Sequence, residues 1–197
     1  MSELKTLRAH HDDRQSGTEG IWTFIFIDMI VFGLIFLVFA SERYRLPTLY
    51  AASQTALNEW FAFANPIILL TSSWAMVEAV QAARVGLRSR SRQWLALVLV
   101  LGSIFCGLKL WEYWGKYSSG IGFAENSFFS MYYFITLLHL AHLIGAMMFI
   151  RGVQTRLGQQ SAAFPDIRLI ENVGLFWHFV DVLWIFIVPL LYLIGRP

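Results

Sequence analysis

Ionisable side chains interrupt runs of the chain that are otherwise apolar: Asp28, Glu78, Lys109, Glu112, His139, His142, His178 and Asp181. In FWHFVDVLWIFIVPLLYL, residues 176–193, His178 and Asp181 stand one helical turn apart, so they can share a helix face and a proton or hydrogen bond. His139 and His142 have the same spacing in HLAH, which resembles half of a metal-binding helix that His178 and Asp181 could complete. Lys109 and Glu112 are spaced so that one can neutralise the other.

Several chemistries suit this set. A haem would need axial ligands on facing helices at matching depth. His139 falls near the middle of its apolar run and His178 nearer one end, a poor match. Chains of carboxylates and histidines also serve proton relays and transport paths, or gather protons for a neighbouring subunit. A stand-alone enzyme would need an activated nucleophile, a phosphate loop or a paired-carboxylate cleft, and the sequence offers none. The structural alternative is that these groups satisfy one another and fix helix packing. Interhelical hydrogen bonds in membranes are worth about 0.6–2 kcal/mol each, and an unpaired charge costs more.

The elements that must position these residues follow from composition. The 197 residues are 57% hydrophobic and 14% charged, against roughly 25% charged in soluble domains. An ordinary soluble domain is excluded. Five apolar stretches, about residues 20–41, 63–84, 94–115, 128–150 and 172–195, are each long enough to cross about 30 Å of hydrocarbon. The expected fold is an all-α, polytopic five-helix membrane bundle over residues 20–197, after a polar tail at 1–19 that carries His10 and His11. The first run is too long for a secretory signal and is expected to be retained.

Basic residues set the expected orientation. Ten (Lys5, Arg8, Arg14, Arg84, Arg88, Arg90, Arg92, Arg151, Arg156, Arg168) flank one side, and four (Arg43, Arg45, Lys116, Arg196) the other. The positive-inside rule then places the N-terminus in the cytoplasm and the C-terminus in the periplasm. RVGLRSRSR, residues 84–92, reads as a basic turn beside anionic head groups or as a partner contact. A net charge of +2 gives no concentrated basic surface for nucleic acid. The single cysteine, Cys106, cannot form an intrachain disulfide. Trp60, Phe61, Trp111, Tyr113 and Trp114 fall where spans meet the head-group zone.

WHFVDVLWIF, HLAHLIG, KLWEYWGKY and NPIILLTSSW resemble subunit III of the haem-copper oxidases, and IFIDMIVFGLIF resembles the first helix of its five-helix form. The likeness runs from about Gly20 to Gly195, and its specific part is the Trp-His-Phe-x-Asp block. GIWTFIFIDM, LTSSWAMVEAVQAAR, SMYYFITLLHLAHLIG, IVPLLYL and Lys109 look most similar to the NorE-type branch associated with nitric oxide reductase. Lys109 departs from the neutral or acidic residue usual in the oxidases.

The resemblance implies a non-catalytic accessory subunit in the bacterial inner membrane. Its expected partner is a larger membrane subunit holding haem, with or without copper. It implies bound phospholipid in a cleft between helix groups, and a contribution to stability, gas access and proton uptake. Asp28 would match the first-helix carboxylate, Glu112 the interface glutamate, and His139, His142, His178 and Asp181 the family's intramembrane polar set. The family's catalytic centre takes more histidines than the three this chain has at membrane depth. The competing reading is an independent proton or small-solute transporter. Against it, no internal repeat is visible, and Pro66 and Pro189 lie near span ends rather than at midplane.

Overall fold

A computed structural model describes residues 17–159 and 166–193. The tail histidines, His10 and His11, lie outside the described residues. Six α-helices follow in order: α1 (Glu19–Arg45), α2 (Pro47–Thr55), α3 (Glu59–Arg84), α4 (Arg88–Ser118), α5 (Ser127–Gly158) and α6 (Ile167–Val188). A π-helical turn, Pro189–Leu193, continues α6. Five of these segments are long and apolar enough to cross a membrane.

Side chains start the helices where backbone N–H groups lack partners. Asn58 accepts from the Trp60 N–H at 2.9 Å, Asn126 from Phe129 at 3.0 Å and Asp166 from Arg168 at 3.0 Å. Gly86 and Gly120, at φ +74° and +80°, reverse the chain after α3 and α4 in a conformation that side chains disfavour. Pro189 has no N–H to give, and the backbone passes there into wider π-type pairing.

The helices reach beyond the apolar runs, because apolarity marks the hydrocarbon while backbone pairing continues through the head-group layer. Thus α4 begins at Arg88 rather than 94, and α5 ends at Gly158 rather than 150. The sequence reading did not anticipate α2, whose segment PTLYAASQT is too short and polar to register as a span. Pro47 opens it, and the Tyr50 ring packs on Phe39 and Phe128 at 5.3 and 5.4 Å.

α3, α4, α5 and α6 form a closed ring, with α4 between α3 and α5 and α6 touching both α3 and α5. α1 lies outside it, against α5 and α6. Only 22% of its apolar window is buried, against 61% for the last span. The ring is tight at Gly102, where an added Cβ would sit 3.0 Å from Trp177 Cη2 and 3.1 Å from Met147 Sδ.

Loop-proximal contacts define two ends. At the Arg-rich end, Arg84 pairs with Glu171 at 2.7 Å and Arg88 donates to the Gln159 carbonyl at 2.7 Å. At the far end, Tyr50 meets Ser127 at 3.2 Å and Gln54 donates to the Leu191 carbonyl at 3.1 Å. Successive spans therefore run in alternate directions.

Candidate functional site

The polar residues of the spans fall into separate groups. The largest lies toward the far end and centres on Lys109, fully buried on α4. Its ammonium donates to Glu112 Oε2 at 2.8 Å, Tyr132 Oη at 3.1 Å and Tyr192 Oη at 2.9 Å, which uses all three of its N–H groups. Tyr192 in turn donates to Glu112 Oε1 at 2.7 Å. Trp184 offers its ring face to the same ammonium, 5.0 Å from the ring centroid. Next along, Tyr113 donates to Thr136 Oγ1 at 2.7 Å, and Thr136 to the Tyr132 carbonyl at 2.6 Å.

A buried ion pair holds together only when its remaining donors and acceptors are met. This one meets them with two tyrosines. The expected Lys109–Glu112 pairing is present, and Lys116 extends it, with its Nζ 3.7 Å from Glu112 Oε1. Tyr113 belongs to this interior cluster rather than to the aromatic belt expected at the head groups. Trp60, Trp111 and Trp114 stay exposed.

Asp28 of α1 meets His142 of α5, with Oδ1 3.4 Å from Nε2. His142 Nδ1 lies 2.8 Å from the Leu138 carbonyl, an acceptor only, so Nδ1 carries hydrogen. Phe32 packs edge-on against the same imidazole at 5.6 Å. Helix order brings this pair together, and nothing in the local spacing announces it.

His178 does not pair with Asp181. Its Nδ1 is hydrogen-bonded to Ser73 Oγ on α3, and the neighbouring Trp177 donates its indole N–H to Ser72 Oγ at 3.2 Å. Two adjacent serines thus receive two adjacent residues of α6, which draws the imidazole sideways toward α3 instead of along its own helix. Asp181 is buried, with Ser73 within interaction range. His178 also borders a crevice of about 200 Å³ between α3 and α6, whose other polar lining is Gln81, Arg84 and Glu171.

His139 is fully buried against Trp184 and Phe105, with ring centroids 4.8 and 5.8 Å away. Neither of its ring nitrogens has a hydrogen-bond partner among the described residues. His139 and His142 therefore do different things: one fills an aromatic slot and the other meets Asp28. The four-residue metal arrangement is not assembled, and no group of three potential metal-ligand side chains occurs among the described residues. Glu78 is partly exposed beside Gln81 and Arg90 at the Arg-rich end, apart from the rest of the set.

Sequence reasoning missed Tyr132, Tyr192, Thr136 and Lys116. Lys116 stands four residues from Glu112, a spacing that could have signalled the third charge. The tyrosines carried no comparable sign, because a tyrosine in an apolar helix reads as packing.

A family description, cytochrome c oxidase subunit III, matches residues 2–196. The cytochrome c oxidase subunit 3 of Alkalihalophilus pseudofirmus is 30% identical over 182 residues, covering 89% of this chain and 85% of that protein. The cytochrome bo(3) ubiquinol oxidase subunit 3 of Pseudomonas aeruginosa is 23% identical, covering 94% of this chain and 88% of that one. A probable quinol oxidase subunit 3 of Staphylococcus epidermidis is 25% identical, with 98% and 96% covered. With its length matched almost throughout and five helices fit to cross a membrane, the chain belongs to the subunit III family of the haem-copper oxidases.

Proposed function

We propose that the protein is a non-catalytic accessory subunit of a respiratory haem-copper complex in the bacterial inner membrane. It packs beside a larger haem-bearing membrane subunit, with its N-terminus cytoplasmic. The observation that carries this reading is the match over residues 2–196 to a family whose relatives are named as subunit 3 of cytochrome c and quinol oxidases. The three span histidines support it, since each is engaged separately: His139 by aromatic rings, His142 by Asp28 and Leu138, His178 by Ser73.

Within that role, the Lys109–Glu112–Tyr192 cluster stabilises the bundle at one end. At the other end, the crevice from Arg84 and Glu171 to His178 would gather protons for the neighbouring subunit. The α1 flank, with Phe26, Ile30, Leu34 and Leu37 exposed, supplies apolar surface for subunit or phospholipid contact. Lys109, with GIWTFIFIDM, LTSSWAMVEAVQAAR, SMYYFITLLHLAHLIG and IVPLLYL, carries the likeness to the NorE-type branch, which makes nitric oxide reductase a candidate complex alongside an oxidase.

The test is purification of the tagged native chain in mild detergent, with mass spectrometry of its partners and a haem spectrum of the eluate. Co-elution with a haem-bearing subunit is expected, and the partner's identity separates oxygen from nitric oxide as the substrate. Stoichiometric haem or copper on the isolated chain would overturn the proposal.

A further inference from the structure

Tyr192 reaches the Lys109 cluster from an irregular stretch of backbone. Its hydroxyl accepts from the ammonium at 2.9 Å and donates to Glu112 Oε1 at 2.7 Å. Trp184 sets its ring face 5.0 Å from the same ammonium. In an unbroken α-helix, side chains seven residues apart share a face, so Leu191 would follow Trp184 there. The π-type turn at Pro189–Leu193 adds one residue to the spacing. Tyr192 thereby takes the place of Leu191 on the face that meets Lys109.

Pro189 opens that turn, and α2 grips it. Gln54, fully buried, donates from Nε2 to the Leu191 carbonyl at 3.1 Å, in the middle of the turn. The helix that carries Gln54 is itself pinned from two sides. Its Tyr50 ring packs on Phe39 of α1 and Phe128 of α5, and Asn126 Nδ2 donates to Ser53 Oγ at 3.2 Å. A nine-residue helix at the far end thus holds the backbone of the turn that aims Tyr192.

We propose that Gln54 is a positioning residue for the buried ion pair, and that α2 is a strap acting through it. The grip on the Leu191 carbonyl keeps the turn wide; when it lets go, the turn returns to α spacing. Leu191 then replaces Tyr192, Lys109 loses one of its three acceptors, and Glu112 loses the donor on Oε1. Glu112 borders a cavity of about 240 Å³ that Ala56, just past the end of α2, also lines, and the released carboxylate turns toward it. A contact made on α2 at the far end is therefore felt at Lys109 and Glu112. The strap works in the same way whichever complex the chain joins.

The test reads the exposure of Tyr192 by nitration with tetranitromethane, located by mass spectrometry. It uses the chain purified with its native partners and held below each variant's thermal midpoint. Native Tyr192, 1% exposed, should resist. Gln54→Leu removes the grip at similar volume and should raise nitration of Tyr192 about tenfold, as expected for one lost buried hydrogen bond. A general loosening would do the same, so the decisive background is deletion of Leu190. With one residue removed from the turn, Tyr192 stands seven residues beyond Trp184 in ordinary α spacing, where no grip is needed. The deletion alone, and the deletion combined with Gln54→Leu, should both leave Tyr192 as protected as in native protein. Three results would each overturn the strap: a protected Tyr192 in Gln54→Leu, an exposed one in the deletion alone, or a Gln54→Leu effect of equal size in both backgrounds.

Discussion

Asp28 on α1 and His142 on α5 meet across the contact between the outer helix and the ring. Because Nδ1 of the imidazole is committed to the Leu138 carbonyl, Nε2 faces Asp28 Oδ1 across 3.4 Å. That contact is attractive when either the imidazole or the carboxyl bears the proton, and repulsive between lone pairs when neither does. Asp28→Asn and His142→Phe should each lower thermal stability in detergent. The double variant should lose less than the sum, with a coupling of about 1 kcal/mol. Strict additivity in the thermal midpoints would show that the two side chains do not interact.

Glu112 should be the most sensitive residue in the bundle. Glu112→Gln leaves Lys109 and Lys116 buried together without a counter-charge, at a cost of about 3–5 kcal/mol. Lys109→Met combined with Glu112→Leu and Lys116→Met removes all three charges as a unit and should cost much less. Unfolding in detergent gives both values, and a single variant milder than the triple would contradict the pairing.

Ser72→Ala should destabilise more than Ser73→Ala. The first leaves the fully buried Trp177 indole N–H without its acceptor, at about 1–3 kcal/mol. The second frees His178, which borders the crevice and can turn to water there. Thermal midpoints of the two variants decide the order.

Gly102→Val should disrupt the ring, since its first added carbon already meets Trp177 and Met147, at a cost of about 1–3 kcal/mol. Gly107→Ala has open space at its Cβ and should stay within about 0.5 kcal/mol of the parent. The fraction recovered monodisperse by size exclusion is the readout.

What the sequence made legible divides by range. The five spans stood out because each is a long apolar run, and Lys109–Glu112 because one helix carries both partners. Asp28–His142 depends on α1 lying against α5, which no local spacing encodes. The proposed His178–Asp181 pairing had the right spacing, but two serines on α3 offered His178 a partner across the interface. Lys116 read as a loop charge, because the apolar stretch ends just before it while the helix does not. α2 was invisible for the opposite reason: its helix depends on Tyr50 finding Phe39 and Phe128 rather than on its own pattern.

The position of α1 outside the ring also bears on how the chain is made. Synthesis runs from the N-terminus, so α1 enters the bilayer before α5 and α6, the helices it packs against, exist. Asp28 must wait there without His142, at a cost of about 3 kcal/mol for an aspartate near a helix centre. α1 has the highest mean hydropathy of the five spans, 2.6 against 2.0 or less for the others. Its exposed Phe, Ile and Leu residues therefore serve the newborn chain as well as the finished one: they let a helix with an unmatched acid insert by itself until its histidine arrives.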